Sequence, residues 1–183
     1  MRRRILIPVA ALAAVIALAV GLYLFQPWRL FTSSTVVEDI PTVATPAATP
    51  PVPSATASPD VTATPAAPRV LATGKLISHE HTSSGTAKIL ELPDGSRILR
   101  LENLDTSDGP DLRIWLTDAP VLEGTAGWYV FDDGAYLDLG ALKANKGSQN
   151  YTIPASAVLG DYSSVSIWCA RFAVSFAAAE LNP

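Results

Sequence analysis

Sulfur and imidazole are scarce in this sequence. Its 183 residues include one cysteine (Cys169), one methionine (Met1) and two histidines (His79 and His81). A single thiol excludes an intrachain disulfide, a Cys-x-x-Cys redox pair and covalent haem attachment through Cys-x-x-Cys-His. With methionine only at position 1, no thioether is on hand as the axial ligand of a blue-copper site. The chain has no internal repeat and no glycine-rich phosphate cradle, and beyond residue 70 no long segment repeats with a helical period. Residues 70–183 carry eight Lys or Arg against fourteen Asp or Glu, a net of −6. That balance argues against nucleic acid as a partner and against direct docking on anionic lipid.

The N-terminus is rich in what the rest lacks. Met1-Arg2-Arg3-Arg4 precedes an unbroken apolar run over residues 5–25. As a helix at about 1.5 Å per residue, that run spans roughly 31 Å, the thickness of one bilayer core. The arginines predict a cytoplasmic N-terminus, and Trp28 and Arg29 suit the opposite interface. Residues 1–31 therefore read as a cytoplasmic tip and an uncleaved signal anchor, with the membrane as partner through residues 5–25. A cleaved signal peptide is the alternative, although no small-residue cleavage site closes the run. No cysteine follows it, so a lipid anchor is excluded. On either reading the remainder is extracytoplasmic.

Residues 32–69 are built almost wholly from Pro, Thr, Ala, Ser and Val, without an aromatic residue. Such a composition buries too little apolar area to offset ordering entropy, and its prolines favour extended polyproline II. We expect a disordered stalk, able to reach ~120 Å at about 3.1 Å per residue.

Residues 70–183 are enough for one all-β domain, an antiparallel β-sandwich or barrel-like fold. "GTAKILEL" and "SRILRLEN" flank Pro93-Asp94-Gly95, which predicts a hairpin. In "DLRIWLTD" the residues Leu112, Ile114 and Leu116 share one face, and Arg113, Trp115 and Thr117 the other. Leu137 and Leu139 share a face, "NYTIP" ends a strand at Pro154, and "PASAVLGDY" can hold one helical turn. Around Cys169 the alternation changes phase. Val165, Ile167 and Cys169 are on the odd face, whereas Phe172, Val174 and Phe176 are on the even one. Either the strand is buried on both faces, or a bulge or chain reversal falls near residues 169–171, and the length of the segment favours the break.

Four stretches together resemble the DM-thirteen, or electron-transfer DM, domain. They are "HTSSGTAKILEL" (81–92), "RLENLDTSDGPDLRIWL" (100–116), "LDLGALKANKGSQNYTIP" (137–154) and "YSSVSIWCARFAVSFAAAEL" (162–181). The family occurs beside DOMON domains in Skeletor- and Knickkopf-like animal proteins, and in exported bacterial proteins. The resemblance implies an all-β domain whose characteristic cysteine is Cys169 and whose early histidine is His81. It also implies a role in electron transfer or oxidation at the cell surface, through a bare thiol or a bound group such as haem. No DOMON neighbour is found in this sequence.

The chemistry expected of these residues centres on Cys169 as a redox thiol. Arg171, two residues on, would stabilise the thiolate, and His81 is the possible partner. His79-Glu80-His81 on a strand would aim two imidazoles to one face, so His79, His81 and Cys169 form a candidate copper or zinc set. The cofactor stays open among none, haem and copper. The redox or surface partner is unknown. A Cys–His–Arg transpeptidase is a weaker enzyme reading, lacking the sequence context of known cell-wall families. The second class of function is a non-catalytic surface domain for protein, glycan or Ca²⁺, with Cys169 as packing. Asp105, Asp108, Asp111, Asp132 and Asp133 would be the cation ligands, though their loops are also ordinary turn sequences.

Overall fold

A computed structural model describes residues 2–41 and 67–183. It contains one α-helix, α1 (Arg2–Phe25), and ten strands in two five-stranded sheets. Among the described residues α1 is the one helix long and apolar enough to cross a membrane, and its side chains from Val9 to Phe25 are almost all exposed. The expected all-β sandwich preceded by an apolar helix is the observed architecture.

The first sheet has the order β1 (Thr35–Val37), β8 (Lys146–Ile153), β5 (Arg97–Asp105), β4 (Ser84–Glu91) and β2 (Arg69–Lys75). The second has the order β3 (Ile77–Ser78), β10 (Val174–Glu180), β9 (Ser164–Cys169), β6 (Leu112–Thr117) and β7 (Tyr136–Ala141). All pairings are antiparallel except β1 on β8. The predicted hairpin joins β4 to β5. Asp94 Oδ1 accepts from the Ser96 N–H, and Gly95 takes the positive φ that the turn requires.

Between the sheets lies the main core. Leu99 and Leu101 of β5 face Ile114 and Leu116 of β6 and Val165, Ile167 and Cys169 of β9. The alternation read in β6 holds: Leu112, Ile114 and Leu116 enter this core, while Trp115 points to the outer face. There Trp115, Trp168 and Phe131 form a second apolar cluster under the loop of residues 119–131. All six residues of β9 are buried, so this strand is covered on both faces. The chain then reverses at residues 170–173, and a bulge between Ser175 and Ala177 shifts the register of β10. Both explanations of the phase change therefore apply, and the reversal returns Val174 and Phe176 to the core. Phe172 is an exception, because it lies in the reversal itself and is 43% exposed.

β1 belongs to the segment expected to be a disordered stalk. Thr35, Val36 and Val37 are β-branched, and the free edge of β8 offers unpaired backbone groups. Val36 lies opposite Gly147, whose φ is +101° and whose missing Cβ leaves room for the Val36 carbonyl. Glu38 then binds Lys143 Nζ at 2.8 Å and the Asn150 N–H at 2.7 Å. Ile40 packs on Leu90, Leu92 and Ile98. The start of the expected stalk, to Pro41, is thus an ordered strap; residues 42–66 lie outside the described residues.

Candidate functional site

The end of the sandwich that meets α1 gathers the β9–β10 reversal, the loop after β3 and the loop before β6. Phe25, the last residue of α1, stacks on Phe172 at 5.7 Å between ring centroids. Arg171 Nη1 donates to the carbonyl oxygen of Leu24 at 3.1 Å and reaches that of Tyr23 at 3.5 Å. The last carbonyls of a helix lack intrahelical partners and carry partial negative charge, so a guanidinium caps them well. A 3₁₀ turn over Pro27–Phe31 follows, and Arg29 pairs with Asp108 at 3.2 Å. Thr32 Oγ1 donates to the same carboxylate at 2.7 Å.

These contacts enclose a cavity of about 520 Å³ between α1 and the domain. Phe25, Trp128, Tyr129, Phe172 and Phe176 give it aromatic walls. Its polar members include the Arg29–Asp108 pair and the Glu80–His81 pair, the latter with Nε2 and Oε2 2.5 Å apart. His81 lies over Phe176 with centroids 4.0 Å apart. Trp128 has a buried indole N–H with no acceptor among the described residues.

Cys169 is behind this cavity rather than in it. It pairs with Val174 on one side and Leu112 on the other, and it has no exposed surface. Burial pushes its thiol up from the ordinary range, against hydrogen bonds from the backbone N–H groups of Phe172, Arg171 and Asp111 that favour the thiolate. Arg171 was expected to stabilise that thiolate with its side chain. Its guanidinium instead goes to the helix carbonyls, because the reversal after Cys169 breaks the strand on which both would share a face.

The two histidines part company. His79 is buried; its Nε2 bonds the Leu122 carbonyl at 3.1 Å and its Nδ1 meets Ser175 Oγ at 2.8 Å. A carbonyl only accepts, so Nε2 carries the proton toward Leu122, while Nδ1 lies within hydrogen-bond reach of the Ser175 hydroxyl, which also meets the Ala177 carbonyl. The ring stacks on Phe131 of the outer cluster. Gly127 approaches so closely that a Cβ there would strike the Leu122 carbonyl and come within 3.0 Å of Nε2. His79 thus ties the loop of residues 122–127 to β10, while His81 faces the core at Phe176. β3 ends at Ser78, so the one-face geometry that a His-x-His strand would supply is lost. Among the described residues no three His, Cys, Asp or Glu side chains are placed to hold a metal ion, which leaves the set His79, His81 and Cys169 unassembled.

The acidic loop of residues 105–111 is occupied by the protein's own cations, whereas Asp132 and Asp133 are exposed and make no ion pair among the described residues. Asp105 takes Lys146, Asp108 takes Arg29 and Asp111 takes Arg113. The family model for Electron transfer DM13 matches residues 75–181. The chain belongs to the DM13 electron-transfer family. No curated protein and no solved structure matches it. The DM13 match covers β3–β10 and leaves out α1, the 3₁₀ turn and β1. The cavity is accordingly composite, with His81, Trp128 and Phe172 from the DM13 domain and Phe25, Pro27 and Arg29 from the segment before it.

Sequence reasoning missed Trp128 and Tyr129, which lie in the loop left unmatched by the resemblance, and it grouped Phe172 with Val174 and Phe176 on one strand face, whereas Phe172 lies exposed in the reversal. The available signal was aromatic: Phe25, Trp28, Phe31, Tyr129 and Phe172 are all large, apolar and exposed in the structure.

Proposed function

We propose that the chain is a membrane-tethered electron-transfer module whose DM13 domain works on the extracytoplasmic side, with its cavity end held against the bilayer. The observation that carries this reading is the docking of the end of α1 on the turn after Cys169, through Phe25–Phe172 and Arg171. Arg2, Arg3 and Arg4 support a cytoplasmic N-terminus. Residues 42–66 connect β1 to β2 within one sheet, so they do not set the distance between domain and helix. The reach expected of a stalk is replaced by close tethering.

Thiol redox chemistry at Cys169 is the second reading. The backbone N–H groups of Phe172, Arg171 and Asp111 near the thiol favour it, and burial, the larger effect, opposes it. The two are separated by spectroelectrochemistry of the detergent-solubilised full chain, run on wild type and on Cys169→Ala. Electron uptake that survives the substitution places the redox group elsewhere, at a bound cofactor. A free thiol accepts no electrons, so uptake is also measured after mild peroxide oxidation to the sulfenic acid; uptake that appears only then, and is lost in the folded variant, assigns it to Cys169. A full chain that takes up no electrons, as isolated or after incubation with membrane extract, overturns both. A C-terminal reporter active only outside the cytoplasm checks the orientation.

A further inference from the structure

On the outer face of the second sheet, aromatic rings stand in a row from the interior to the surface. Trp168 of β9 is 1% exposed and stacks on Trp115 of β6, with ring centroids 5.1 Å apart. Trp115 stacks in turn on Tyr136 of β7 at 3.9 Å, the planes within 9° of parallel. Tyr136 ends the row, 48% exposed on an edge strand. The register sets this spacing: Trp168 lies opposite Arg113 and Tyr136 opposite Thr117, so each is the diagonal neighbour of Trp115 on one face. Packing accounts for rings in contact, but not for the polar atom among them. The Trp115 indole N–H is buried with no acceptor among the described residues, which only costs stability if the ring merely packs. For an electron carrier the same feature is useful. An indole that loses an electron with no base beside it keeps its proton, so the electron can return without proton transfer. A phenol at the surface passes its proton to water as it is oxidised, and is then the easier of the two to oxidise.

We infer that Trp168, Trp115 and Tyr136 are a relay that carries an oxidising equivalent from the interior of the second sheet to the surface at β7. A strong one-electron oxidant, an oxygen-centred radical or a high-valent metal centre, takes one electron from Trp168 and is reduced. Trp115 gives an electron to the Trp168 cation. Tyr136 then gives one to the Trp115 cation, and its phenolic proton passes to water. The balance is one electron to the oxidant, one proton to solvent and a tyrosyl radical at Tyr136. Cys169 follows Trp168 in the chain but faces the core between the sheets, so it lies off this route. The inference extends the reading of the chain as an electron-transfer module, which supplies the setting for such an oxidant, and is tested apart from it.

The test uses the detergent-solubilised full chain carrying a ruthenium polypyridyl photo-oxidant on Asp132→Cys, an exposed site next to Phe131, while buried Cys169 stays unlabelled. A flash with hexaammineruthenium(III) as acceptor oxidises the label. Transient absorption and electron paramagnetic resonance then identify the radical, which should be a tyrosyl. Tyr136→Phe, at the exposed end, should abolish that signal and leave the protonated indole cation in its place. Trp115→Phe keeps a ring in the stack that the label cannot oxidise, so it should also abolish the tyrosyl radical. Trp168→Phe makes the same break at the inner end, and circular dichroism checks that each variant is folded. Either folded tryptophan variant giving the tyrosyl radical in undiminished yield would mean direct oxidation and would overturn the relay. A tyrosyl signal that persists in Tyr136→Phe, or a deprotonated indole radical in that variant, would overturn it too. Electron uptake by the unlabelled chain is a separate measurement. A failed relay leaves the electron-transfer reading intact, and failed uptake leaves the relay intact.

Discussion

His79 and Cys169 are the residues whose chemistry depends most on where the fold puts them. Desolvation holds the His79 imidazole below its ordinary 6.5, opposed in part by the Leu122 carbonyl. The folded state therefore binds fewer protons at this site than the unfolded chain. Its contribution to stability is whole above the unfolded value of 6.5 and is lost as pH falls from there through the folded value. Chemical denaturation followed across that window should show wild type losing stability with acidification, with a limiting slope of about 1.4 kcal/mol per pH unit. His79→Gln should flatten that slope. A variant with the wild-type slope would mean that another group titrates. Cys169 shows the same physics with the opposite sign, since burial disfavours the thiolate and raises the thiol.

At the scale of elements, β1 is the informative one. It has only three residues, and a strand that short depends on its partner's shape. Gly147 supplies that shape through its positive φ and its missing Cβ. Gly147→Ala should cost about 1–2 kcal/mol in backbone strain and also push the Val36 carbonyl out of register. Hydrogen exchange is the appropriate readout. Protection of the Glu38 amide, which donates to Ser148, should collapse while the β4–β5 ladder keeps its protection. Unchanged exchange at Glu38 would mean that β1 does not depend on this glycine. Its ion pair with Lys143 holds the Glu38 carboxyl below the ordinary 4.5, so the strap also loses support as pH falls through that lowered value.

For the whole molecule, the question is how far the domain stands from the lipid. The docked strap and the Phe25–Phe172 stack place the cavity end next to α1, and Ala155 lies beside the β4–β5 turn at the far end of the sandwich. Spin labels at Phe172→Cys and Ala155→Cys, in the full chain in lipid nanodiscs, report depth through their relative exposure to oxygen and to a water-soluble nickel chelate. Buried Cys169 should remain unlabelled. The label at 172 should be oxygen-accessible and shielded from nickel, and the label at 155 the reverse. Two labels equally open to nickel would mean that the domain stands clear of the membrane.

The local levels were legible in the residues themselves. An apolar run of helix length, period-two alternation in β6, the Pro-Asp-Gly turn and the break after Cys169 are all written within a few neighbouring residues. Such features depend on short-range sterics and on which side chains share a face, and those depend on the order of residues alone. The DM13 relationship was legible for the same reason, as a succession of local patterns. Contacts between distant segments decided the rest. The loop over Trp168 covered the outer face of β9, and the reversal turned Arg171 away from the thiol toward the helix. Two of the acidic residues at 105–111 were also neutralised from afar, because Arg29 and Lys146 come from other segments. Composition marked residues 32–69 as unable to fold alone, and Thr35–Val37 nonetheless became a strand on an edge that β8 offers. Desolvation and edge pairing depend on what the rest of the chain brings alongside, so only the tertiary structure could place Cys169 behind the cavity and β1 on the edge of β8.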